Sequence, residues 1–133
     1  MPTYFGGDLK EFKVEHPTLG SFLFEPKGGE SVEGNRGGVR INDDDAQITA
    51  AGNIILSGSV TRPYIQPTLA WNSEVEEFLN KWAASAELGT TTYTLINGDV
   101  YRGKTIPVGD IKPDTFNATI QVKFAGSGVF QKI

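Results

Sequence analysis

Residues 70–88 constrain the fold more than any other stretch. They are the one strongly helical segment in a chain that is otherwise strand-like and punctuated by glycine. Val75, Phe78, Leu79, Trp82, Ala83 and Ala86 recur at i, i+3, i+4, i+7, i+8 and i+11, the spacing of a single helix face. Ser73 and Glu76 have the spacing of a capping box, and Glu74, Glu76 and Glu77 crowd the first turn, where the helix dipole favours negative charge. Gly89 is placed to end the helix in a left-handed conformation. The pattern predicts a helix over about 73–88, with Val75, Phe78, Leu79 and Trp82 as its buried side. One amphipathic helix has nothing of its own to pack against, so it must lie across a sheet built by its flanks.

The flanks read as that sheet. Polar and apolar residues alternate over 9–15 and again over 21–26, with 16–20 as the turn of a hairpin. Residues 46–52 and 53–61 read as two further strands, the second with Ile54, Leu56 and Val60 toward a core and Ser57, Ser59 and Thr61 away from it. Asn97-Gly98 between 90–96 and 100–106 is a hairpin signal of the type I′ kind. Ala118, Ile120, Val122 and Phe124 alternate with Thr119, Gln121 and Lys123 in a last strand, which Gly126-Ser127-Gly128 ends, leaving 129–133 as a tail. Residues 1–8 read as an arm. The sum is a single domain over 1–133: a mainly β, sandwich- or barrel-like subunit with one flanking helix. Sixteen glycines and seven prolines suit the many turns this needs.

The exception is 27–45, a long glycine-rich loop almost without apolar residues. Loops of that length inside a compact domain are usually functional, and one with mixed charge can order against a partner. Glu30, Glu33, Arg36, Arg40, Asp43, Asp44 and Asp45 are its candidate contact residues, the two arginines being suited to charge-assisted bonds with a neighbour's acidic groups.

Chemistry is harder to find. His16, the single histidine, precedes a proline in a turn and has no sequence-adjacent partner for acid–base work. Asn42 and the three following aspartates could hold a hard cation, but they lack the alternating spacing of a calcium loop and read as a solvated acidic turn. Gly34-Asn35-Arg36-Gly37-Gly38 has no Gly-Lys-Ser/Thr behind it and makes a poor phosphate cradle. Trp82 reads as core and Trp71 as a packing anchor rather than as sugar platforms. With no cysteine there is neither a disulfide framework nor a thiolate metal site. No cofactor or metal is expected, and no enzyme. Twelve basic against sixteen acidic residues, a net charge of −4, argue against tight nucleic-acid binding. No apolar run reaches membrane-spanning length and no targeting segment opens the chain, which reads as made and folded in cytosol.

The order of features resembles the tail tube proteins of tailed bacteriophages. The resemblance covers essentially the whole chain. It is carried by the glycine-rich excursion after an N-terminal hairpin, the helix, the run from Thr92 to Gly103 through Asn97-Gly98, Val108-Gly109-Asp110, and the alternating strand into Ala125-Gly126-Ser127-Gly128. It implies a structural virion subunit, made in the host cytoplasm, whose hexameric rings stack into a hollow conduit for DNA. The inner strands of a ring would join into one intersubunit β-barrel. The loop over 27–45 would reach the next subunit or ring, and the terminal arms would help. Sheath, tape-measure and tail-terminator or baseplate proteins would be further partners, with DNA passing through and no membrane involved. A conduit for DNA should have a neutral or negative wall, because repeated positive charge would hold phosphate. Ser57, Ser59 and Thr61 are the lumen-face candidates. Two other readings stand beside this one: the tube of a phage-derived contractile injection device or bacteriocin, and a monomeric carbohydrate- or ion-binding β-sandwich.

Overall fold

The computed structural model describes residues 2–42 and 47–133. The expected hairpin forms from β1 (Leu9–His16) and β2 (Gly20–Phe24), with Phe12 opposite Phe24 and Val14 opposite Phe22. Two more long strands, β10 (Gly89–Leu95) and β11 (Val100–Val108), continue the sheet, and β14 (Lys123–Lys132) pairs with β11. With β3 (Glu33–Asn35) and β8 (Tyr64–Gln66), the antiparallel order is β2-β1-β10-β11-β14-β8-β3. The fold is mainly β, and this large sheet does not close into a barrel. Its edges, β2 and β3, stay free among the described residues.

One face of the sheet carries the core. Phe12, Val14, Phe24 and Phe124 are buried there, together with Ile120 and with Val122 just ahead of β14. A small sheet of β12 (Pro113–Asp114), β13 (Thr119–Gln121) and β9 (Thr68–Ala70) contributes Leu69 beside them. The helix α1 (Ser73–Ser85) closes the layer with Val75, Leu79 and Trp82 buried. Trp82 sits 5.5 Å from the Phe124 ring, whereas Phe78 is only partly buried and stacks on Phe22 at 4.7 Å.

The helix ends differ from expectation. Asn72, not Ser73, is the cap: its side chain accepts from the Val75 amide at 2.9 Å, one residue ahead of the proposed box. Ala86, not Gly89, takes the left-handed conformation, at φ 55°. Gly89 instead opens β10, pressed against Trp82, where an added Cβ would stand 3.0 Å from the indole. In the hairpin loop of 96–99 only Gly98 has positive φ, and its amide bonds back to the Leu95 carbonyl. This is a type I turn with a glycine bulge rather than type I′. The C-terminal residues are not a tail. Lys123–Lys132 is one strand and Phe130 is 4 % exposed. Gly126 does not end that strand. It lets the strand lie against Lys104, whose carbonyl a Cβ would strike, where the β11–β14 register shifts between Arg102 and Lys104.

The largest correction concerns 27–61. Residues 33–35 belong to the main sheet as β3, so this excursion is not all loop. Beyond it the chain rises into a two-stranded ribbon: β4 (Gly38–Ile41) pairs with β7 (Gly58–Thr61), and β5 (Gln47–Ile48) with β6 (Ile54–Ile55). The side chains expected to face a core do not. Ile54, Leu56 and Val60 are exposed, Val60 by 82 %.

Candidate interaction surfaces and the arm-root cavity

The ribbon is held by its own ladder and by Asn42, whose amide group donates to the Ser59 hydroxyl at 2.9 Å while its backbone N–H donates to the Ser57 carbonyl. Two-stranded ribbons are marginal in water unless something covers them. This one presents Val39, Ile41, Ile48, Ile54, Ile55, Leu56 and Val60 to solvent. Alternation puts Ile54, Leu56 and Val60 on one side, with Val39 opposite Val60 and Ile48 opposite Ile54, and nothing in the described chain lies over them. Sequence reasoning missed the surface because it assigned Ile54, Leu56 and Val60 to a core and left Val39 and Ile41 in a loop.

The named contact candidates separate into two groups. Glu30 is paired with Lys27 at 2.8 Å, and the Lys27 hydrogen bond holds its carboxyl below the usual range. Glu33 accepts from the Tyr64 hydroxyl at 2.9 Å, which pushes that phenol's pKa up. Both acids are engaged within the chain. Arg36 and Arg40 have no carboxylate partner among the described residues. The Arg36 guanidinium lies 4.0 Å over the Tyr101 ring, and Arg40 donates to the Asn35 side-chain oxygen at 3.2 Å. Asp43, Asp44 and Asp45 lie outside the described residues. Ser57, Ser59 and Thr61 sit along the ribbon's second limb, with Ser59 opposite Arg40.

The sheet face opposite the core is a second, polar surface. Its side chains line up in rows across the strands: Lys13, Thr92, Arg102 and Gln131 in one, Glu15, Thr90, Lys104 and Ser127 in the next. Lys13 pairs with Glu15 at 3.4 Å, and Arg102 donates to the Thr92 hydroxyl at 3.3 Å. Arg102 and Lys104 have no acidic partner among the described residues. The alternation of Thr90, Thr92 and Thr94 was the available signal for this face.

His16 is structural. It is 4 % exposed; its Nδ1 accepts from the Thr18 and Leu19 amides at 3.1 and 3.0 Å, and its Nε2 meets the Ser85 hydroxyl at 3.1 Å. Since Ser85 donates to the Trp82 carbonyl, Nε2 carries the proton. The ring thus ties the β1–β2 turn to the end of α1.

At the ribbon's root a cavity of about 280 Å³ opens between Gly7, Leu9, Val32, Gly34, Asn35, Arg36, Ile65, Tyr93 and Leu95. Burial raises the pKa of the Tyr93 phenol, and the positive charge of Arg36 acts against that rise. No helix of the described chain is long and apolar enough to cross a membrane. Comparison with protein-family models and with curated protein sequences gives no match.

Proposed function

We propose that the chain is the structural subunit of a bacteriophage tail tube, assembling into hexameric rings that stack into a conduit for DNA. The observation that carries this reading is the ribbon in which Gly38–Ile41 pairs with Gly58–Thr61 and Gln47–Ile48 with Ile54–Ile55, whose exposed aliphatic side chains have no cover among the described residues. A ribbon of this kind needs a partner, and a repeating structural subunit supplies one in its next copy. The free edges at β2 and β3 fit the same reading, since neighbours that extend the sheet into a shared barrel remove edges that would otherwise invite uncontrolled pairing. The wall of the conduit is then the open sheet face, with its hydroxyl-rich rows, rather than the ribbon serines. In its rows Lys13 is paired with Glu15, while Arg102 and Lys104 have no acidic partner among the described residues. That positive pair departs from the neutral or negative wall expected for DNA and favours the injection-device tube as the second reading.

The site of action is the virion tail, with sheath, tape-measure and terminator or baseplate proteins as further partners and DNA passing without specific binding. Size-exclusion chromatography with negative-stain imaging tests this. Rings or filaments are expected. A protein that stays monomeric across salt and concentration defeats the reading.

A further inference from the structure

The cavity at the ribbon's root joins two chemistries. Its floor is aliphatic, from Leu9, Ile65 and Leu95, and its remaining wall brings Arg36, Asn35 and Tyr93 to the same space. The donors are arranged rather than merely present. Arg36 is steadied by its stack on Tyr101 at 4.0 Å and by its carbonyl, which accepts from the Phe130 amide at 2.9 Å. The Asn35 side-chain oxygen is already occupied by the Gly37 amide at 2.8 Å and by Arg40 at 3.2 Å, which leaves its NH2 group as a donor. A guanidinium and an amide above an apolar floor match a carboxylate on a short aliphatic stem.

We infer that this cavity is a socket for an aliphatic carboxylate, filled in the assembly by a glutamate or aspartate side chain of a second copy. The choice of a second copy rests on the self-assembly proposed above and on charge. The chain carries sixteen acidic against twelve basic residues, so a neighbouring copy offers surplus carboxylates to a cationic socket.

Hexanoate and its uncharged isostere hexanamide, titrated into the unassembled protein and followed through the backbone amides of Gly34, Asn35 and Gly37, test the socket. Hexanoate should shift these amides with half-saturation on the order of a few millimolar, as a ligand of this size allows. Hexanamide, and hexanoate with Arg36→Gln, should bind at least tenfold more weakly. No shift with hexanoate, or equal binding of the two compounds, overturns the inference. Where the protein assembles, saturating hexanoate should slow ring formation severalfold. Binding without any slowing overturns the second copy as occupant. A chain that binds hexanoate yet never assembles keeps the socket, refutes its filling by a second copy, and places the failure in the tube reading.

Discussion

Truncating Trp82 to alanine examines the fold at its most committed point. The side chain is 0 % exposed and meets Phe124 at 5.5 Å, Phe78 at 6.1 Å and His16 at 6.3 Å between ring centroids. Its indole N–H donates to the Glu87 carbonyl at 2.9 Å, just beyond the helix. The surroundings have little freedom to collapse into the space, because Gly89 packs on the indole as part of β10 and Phe124 is fixed in β14. Loss of a buried tryptophan at such a site should cost about 3–5 kcal/mol. Unfolding entropy of about 2.1 cal/mol/K per residue, over 133 residues, comes to roughly 0.28 kcal/mol/K, so Tm should fall by about 14 °C. Phe78 gives the control within the same helix. It is only partly buried and rests on Phe22, so Phe78→Ala should cost about half as much. Scanning calorimetry must use unassembled protein, since association raises Tm with concentration. A Trp82→Ala melt that matched the parent, or one milder than Phe78→Ala, would refute the packing described.

Replacing residues 38–61 by a short Gly-Ser link should change unassembled-protein stability by no more than about 1 kcal/mol while abolishing rings, because the ribbon adds little to the core; long tubes from that variant would remove the arm's role. His16→Ala strands the Thr18 and Leu19 amides and should cost about 2–3 kcal/mol by chemical denaturation, and a neutral outcome would show the latch is idle. Asn117 hydrogen bonds, from side chain and backbone, hold the Asp114 carboxyl below its usual range. Because that folded-state value is depressed, the support it gives its turn is present above the ordinary carboxylate range and fades as pH falls through the folded value. Carboxyl NMR should show the titration returning upward in Asn117→Ala, and an unchanged midpoint would discredit the cause. If the open face lines the conduit, Arg102→Gln with Lys104→Gln should leave tubes intact and quicken DNA release, most at low salt; release indifferent to both changes would move the wall elsewhere.

The helix and its neighbours were legible because their patterns are local and redundant. Six apolar positions agree on one face between 75 and 86, and β1 with β2 pairs Phe12 to Phe24 much as alternation implies. The errors fell where two residues compete for one role. Asn72 and Ser73 can each cap, and the choice was made by where the chain leaves β9. Gly89 and Ala86 can each end the helix, and Trp82 claims the glycine because a Cβ there would stand 3.0 Å from the indole. Gly126 and Gly128 read as a terminator, yet at Gly126 glycine is the condition for two strands to pass at a bulge. In each case a tertiary contact far along the chain decided between equal local options.

The ribbon failed for a different reason, and the failure bears on function. Alternation in 53–61 states that one side of a strand avoids water; it does not state whose atoms will cover it. Val39 stands opposite Val60, and Ile48 opposite Ile54, so the two limbs present matched aliphatic pairs outward. A lone monomer gains nothing from such pairing and risks aggregation. At about 25 cal/mol per Å² of apolar area, covering several of these side chains on a neighbour would supply enough free energy to order a hairpin that is marginal alone. If copies assemble as proposed, the same residues would serve as core between them, and the periodicity of 53–61, paired along its edge within the chain, would find its cover on a neighbour.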